Sequence, residues 1–94
     1  MIASFADRDT ERLFRRERVR RFPAELLRVM LRKLAQLDAA TGLEDLRAPP
    51  ANHLEKLKGD RAGQYSIRVN DQWRVCFRWA HGAPHDVTIV DYHY

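Results

Sequence analysis

The chain has 94 residues, enough for one small domain with a single modest core. It is 45% hydrophobic and 32% charged, which excludes a disordered tail, and no apolar run approaches the roughly 20 residues of a membrane span. The formal charge of +4 is unevenly spread: residues 1–33 hold ten Arg and Lys against five acids and residues 56–78 hold six against two, while 34–55 and 79–94 are net acidic. Basic blocks of this kind suit a polyanion such as nucleic acid, and equally a solvated surface. Cys76 stands alone in an apolar run, which makes it a buried small hydrophobe and gives no disulfide framework. The opening MIASFADRDT lacks a basic region followed by an apolar stretch, so no secretory leader and a cytoplasmic location are expected.

In chain order, Met1–Phe5 is a short apolar run suited to an edge strand. Asp7 and the Asp9-Thr10 pair are N-cap residue types that open a short arginine-rich helix containing Leu13 and Phe14. Phe22-Pro23 interrupts it, because the residue before proline is pushed out of the helical region, and Pro23 suits the first turn of a second helix. Leu27, Met30, Leu31, Leu34 and Leu37 then repeat at helical spacing, with Gly42 as a candidate stop beyond the helix end.

After Pro49-Pro50 the period changes to two. His53–Lys58 reads as a short extended piece, followed by a turn over Gly59–Gly63. In Tyr65–Val69 the residues Tyr65, Ile67 and Val69 share a face opposite Ser66 and Arg68. Trp73–Trp79 alternates as strictly, with four large apolar residues opposite Arg74, Cys76 and Arg78, and Asn70-Asp71-Gln72 is the hairpin loop between the two runs. Gly82-Ala83-Pro84 turns the chain again before a last strand from Val87 to Val90. The expected architecture is one α+β domain over residues 1–94, two N-terminal helices packed on one face of an antiparallel sheet whose other face is polar.

That polar face collects chemistry scattered along the sequence. Arg68 and Arg74 come from neighbouring strands, Glu55 and Lys58 from the segment before them, and His93 from the end of the last strand. Two arginines with no acid between them point to a bound anion rather than to internal ion pairs, and arginine suits bidentate phosphate contacts. A carboxylate, a histidine and several cations are sufficient to cleave RNA without a metal: base, charge stabiliser and acid. Tyrosines nearby suit stacking on splayed bases. The plainer reading makes Glu55 a surface carboxylate and the arginines a solvated face. His81 and His85 have Gly82 and Pro84 between them and no cluster to complete a zinc set, so no metal site is expected there. If the last strand runs regularly to its end, alternation pairs Asp91 with His93 and sends Tyr92 to the core side.

The strings MI-SF, LAQLDAA, LEKLKGDRAGQYSIRVNDQWRVCFRW and VDYH together resemble the HigB-type toxins of the RelE superfamily, nearly end to end. The resemblance implies a RelE-like fold with two helices on a curved antiparallel sheet. It implies a toxin of a type II toxin–antitoxin system that cuts mRNA in the A site of the bacterial ribosome without metal or cofactor. It also implies a HigA-like helix-turn-helix antitoxin as partner, operator DNA reached only through that antitoxin, and no membrane. Lys58 and Arg74 fall at phosphate-contacting positions, with Arg68 one strand away. Glu55 matches a general-base carboxylate of the YoeB branch, whose members also end like Tyr92-His93-Tyr94, and His53 is the rival base. The implied catalytic set is therefore Glu55, Lys58, Arg68, Arg74 and His93, with Arg61, Tyr65, Asp91, Tyr92 and Tyr94 as RNA contacts. The alternative is a catalytically weak RNA-binding module acting as co-repressor, and a ribosome-independent ribonuclease is a third reading.

Overall fold

The computed structural model describes residues 1–92, so His93 and Tyr94 lie outside the described residues. Helix α1 (Arg8–Phe14) is followed by α2 (Leu27–Ala39), and a sheet is built from β1 (Glu55–Lys56), β2 (Tyr65–Arg68), β3 (Trp73–Ala80) and β4 (Ala83–Asp91). The strands pair antiparallel in sequence order, β1-β2-β3-β4. This is the expected α+β arrangement. Four short 3-10 turns, at Ala24–Leu26, Leu43–Arg47, Pro50–Asn52 and Gly59–Arg61, complete the connections.

The two helices are fixed by their sequences in different ways. Asp7 caps α1, its carboxylate accepting from the Thr10 backbone N–H at 3.0 Å and from the Thr88 hydroxyl at 2.7 Å. Burial opposes ionisation of that carboxyl, but the Thr10 and Thr88 hydrogen bonds and the Arg21 charge outweigh it and hold the pKa below the ordinary value. Thr10 is fully buried and its hydroxyl accepts from the Ile89 backbone N–H, which joins α1 to β4. Helix α2 buries Met30, Leu34 and Leu37 completely against Ile67, Val75, Phe77, Val87 and Ile89 of the sheet.

Several expected boundaries shift. Gly42 is not a helix stop: α2 ends at Ala39 with Ala40 extended, and the Asp45 carboxylate accepts from the Thr41 and Gly42 N–H groups, drawing the chain into the next 3-10 turn. The Met1–Phe5 run forms a single parallel bridge, Phe5 to Val87, beside β4 rather than a full strand. The final turn is centred on His81-Gly82, both at positive φ, which is the type I′ pattern for a tight hairpin. Strand β4 therefore starts at Ala83, and Pro84 lies within it. One extra residue on β4 faces Phe77 between the Cys76–Thr88 and Arg78–His85 pairs, with Asp86 left-handed at this bulge.

The larger departure concerns the polar face. Arg74 is 3% exposed and Ser66 and Cys76 are fully buried, so β3 is covered on both sides at its centre. Alternation alone assigns a face to a residue and says nothing about what a distant segment lays over it.

Candidate functional site

Register brings the expected cations together. Arg68 lies directly opposite Arg74 across β2 and β3, and Ser66 lies opposite both Cys76 on β3 and Glu55 on β1. Directly opposite residues project from the same side of a sheet. Glu55, Ser66, Arg68, Arg74 and Cys76 therefore share one face, while Tyr65 and Lys56 pair on the other. Tyr65 stacks on Phe77 with ring centroids 6.1 Å apart, which sets it against the core and away from the two arginines.

At the β2–β3 hairpin end of this face is a cleft of about 190 Å³ lined by His53, Glu55, Arg68, Asn70, Asp71 and Arg74. It is smaller than the roughly 300–1,000 Å³ of a typical small-molecule pocket, so it suits a phosphate and part of a sugar, with any base left outside. Lys58 and Arg61 do not line it: Lys58 is exposed at the start of the following 3-10 turn, and Arg61 donates to the Gln64 side chain.

Arg74 is the anchored member. Its Nε donates to Ser66 Oγ at 2.7 Å, its Nη2 donates to the His53 carbonyl at 2.7 Å, and its Nη1 lies 3.9 Å from Glu55 Oε1. His53 offers that carbonyl because it sits in the left-handed region, φ 44°, as the chain leaves the Pro50–Asn52 turn. It is not part of β1, so its shared side with Glu55 comes from the turn and not from strand alternation. Arg68 is paired with Asp71 of the hairpin loop. The expectation of arginines without acids is thus corrected: each has a carboxylate neighbour, supplied by elements that the sequence separates from it.

Behind His53 is a buried support that sequence reading missed. Asn52 is fully buried; its carbonyl oxygen accepts from Lys33 Nζ at 2.5 Å, and its amide donates to Gln36 Oε1 at 3.0 Å and to the Leu46 carbonyl at 3.2 Å. Lys33 lies on α2 and is itself 7% exposed. Burial lowers its pKa, with the charges of Arg32 and Arg68 acting the same way. A lysine in helical phase with Met30, Leu34 and Leu37 was the available signal.

The chain end comes back to the same place. The Tyr92 backbone N–H donates to the Gln72 carbonyl at 2.7 Å, and Asp91 accepts from the Gln72 side chain at 3.0 Å. Gln72 closes the loop whose Asn70 and Asp71 line the cleft. Register sets Val90 opposite Arg74 and Asp91 opposite Trp73, so continued alternation carries Tyr92 toward the Arg74 side, the reverse of the expected assignment. His85 and Cys76 take no part in the cleft. His85 is engaged with the Ala80 carbonyl at 3.1 Å, and burial raises the Cys76 thiol pKa despite the charges of Arg61 and Arg74.

Residues 3–93 match the family described as HigB-like toxin, the RelE-like toxin of the type II toxin–antitoxin system HigB. The chain is 41% identical to Toxin HigB-1 of Vibrio cholerae serotype O1 over 83 residues, covering 87% of each. It is 32% identical to Endoribonuclease HigB of Proteus vulgaris over 93 residues, covering 99% of this chain and 100% of that one. Among solved structures it resembles a chain of the YoeB–YefM complex from Staphylococcus aureus, with a TM-score of 0.62 over 100% of this chain and 99% of the other. Identity to that chain is 16%, so this likeness speaks for the fold alone.

Proposed function

The chain belongs to the HigB-like family of RelE-like toxins of type II toxin–antitoxin systems, and from that premise we propose that it is an endoribonuclease that cuts mRNA in the ribosomal A site. Its antitoxin is a HigA-like helix-turn-helix protein. The observation that carries the reading is the cleft itself, where Glu55, Arg68 and Arg74 meet beside the loop to which Tyr92 is tied.

In this reading Glu55 takes the proton from a ribose 2′-hydroxyl. The freed oxygen attacks the adjacent phosphorus, the bond from phosphorus to the 5′-oxygen breaks, and His93 gives that oxygen a proton. Arg68 and Arg74, with Lys58 from the neighbouring turn, stabilise the charge that builds on the phosphate. Arg74 is already oriented by Ser66 and His53, so little reorganisation is left for the reaction. His53 lines the cleft as well and is the second candidate base. Arg61, Asp91, Tyr92 and Tyr94 contact the RNA strand on either side. A cleft this small positions one phosphate; the ribosome positions the rest of the message.

One observation favours a second reading. Both cleft arginines have carboxylate neighbours, as in a weakly catalytic RNA-binding module whose main role is co-repression with its antitoxin. The two separate on a growth assay with mapping of mRNA 5′ ends after brief induction. The enzyme arrests growth when expressed alone and creates new 5′ ends on translated messages, and His93→Ala and Glu55→Gln lower cleavage roughly 10²–10⁴-fold while staying folded. Full toxicity of both variants would sink the mechanism. Growth unaffected by the wild-type chain would favour the binding module, and equal cleavage of naked RNA would remove the ribosome from the account.

A further inference from the structure

A second concavity, of about 490 Å³, lies along α2 and shares no residue with the cleft. Its floor is apolar: Leu27 and Leu31, both half-buried, are one helical turn apart. Ala24 and Ala35, both exposed, extend that stripe at its two ends. Its rim is cationic. Arg16 from the turn just beyond α1 and Arg28 and Arg32 from α2 are all exposed. None of the three has an acidic partner among the described residues, although Arg12, Arg15 and Arg21 nearby are all paired. On a helical projection Leu31 and Lys33 fall on opposite flanks of α2, so this stripe and the buried support of the cleft use different sides of one helix.

An apolar stripe with unpaired positive charge on its edges fits an amphipathic helix with acidic flanks, laid into a groove by anchors at i, i+3 or i+4, and i+7. We propose that this groove docks an acidic amphipathic helix of the antitoxin. The proposal rests on the toxin–antitoxin reading above and adds to it the surface and the chemistry of the partner. Charge decides against a second copy of this chain, because a symmetric contact would set the three arginines against their own counterparts.

The test is titration of the purified chain with the purified protein encoded by the adjacent reading frame, at low and raised salt. Wild type, an Arg28→Glu/Arg32→Glu double variant, Leu31→Glu, and Glu55→Gln from the cleft are compared. Reversing the two rim charges weakens binding about tenfold or more and removes most of its salt dependence. Leu31→Glu weakens it roughly thirtyfold, as expected for a central anchor. Glu55→Gln leaves it unchanged. The double variant alters only exposed side chains, so its thermal melt should match wild type and its growth inhibition should persist.

Binding of the double variant as tight as wild type overturns the proposal and leaves the toxin–antitoxin reading intact. So does a result in which the groove variants lose only ribosome binding, binding to anionic vesicles, or self-association. If the wild-type chain does not bind its neighbour's product at all, the pairing itself fails and the groove proposal falls with it.

Discussion

Lys33 and Arg74 hold consecutive residues of one loop: Lys33 Nζ donates to the Asn52 side chain at 2.5 Å, and Arg74 Nη2 donates to the His53 carbonyl at 2.7 Å. Helix and sheet therefore meet through a two-residue stretch whose backbone is left-handed at His53. Removing Asn52 unpairs a buried ammonium and loosens the segment that orients the guanidinium. Asn52→Ala should cost roughly 3 kcal/mol near neutral pH, measured by urea melts. The pKa of Lys33 is lowered, so the unfolded chain binds the proton up to higher pH than the folded one. Stability of this variant should therefore rise as pH climbs through the lowered pKa toward the ordinary value of 10.5. A flat alkaline limb would show that Lys33 is not the group left uncompensated.

Asp71 pairs with Arg68, so in the proposed mechanism it competes with RNA for that guanidinium. Its side chain is 98% exposed, so the pair is well screened, and releasing the arginine has a modest effect. Asp71→Asn should tighten binding of a short single-stranded RNA by up to about fivefold at low salt, with the gain vanishing as salt rises. Weaker binding would mean that Asp71 orients Arg68 instead of restraining it.

Asp7 links the first helix to the last strand through Thr10 and Thr88. Asp7→Ala should lower stability by about 1–2 kcal/mol at neutral pH, read from thermal or denaturant midpoints. The folded pKa lies below the ordinary 3.8, so this contribution is fully present above that value and is lost as pH falls through the lower folded pKa. Wild type and variant should converge in strong acid, where the carboxyl is protonated in both folded and unfolded wild type.

Cys76 should resist thiol reagents in the folded protein at neutral pH, because it is fully buried and burial raises its pKa. Labelling should appear only with denaturant, tracking the unfolding transition. Rapid labelling of native protein would mean that the sheet face over Cys76 opens locally.

Much of this was legible in the sequence, and the exceptions have physical causes. The stripe of α2, the Asp7 cap, the two period-two strands and the Asn70–Gln72 loop follow from local rules, because each depends on residues a few positions apart. Alternation in the two hairpin strands made Arg68 and Arg74 legible as one face, with Glu55 and Lys58 expected beside them from the preceding segment; Glu55 lines the cleft and Lys58 does not. What escaped was non-local: the burial of Arg74 by the His53 turn, the carboxylates that neighbour both arginines, and the tie between Lys33 and Asn52. Gly42 shows the limit at short range as well. A glycine in the right place reads as a helix stop, yet the Asp45 carboxylate, three residues on, decides how the helix ends.

The near-complete burial of Arg74 has a consequence for genetics. If Arg74 contacts the phosphate as proposed, a screen for survivors of toxin expression will return substitutions at this codon for two superimposed reasons, lost phosphate contact and lost folding, and survival alone does not separate them. Glu55 is exposed, so under the proposed mechanism its alleles report the chemistry with little effect on folding. Where the two positions give different ratios of soluble protein to survival, the difference measures how much of the structural frame one side chain was holding.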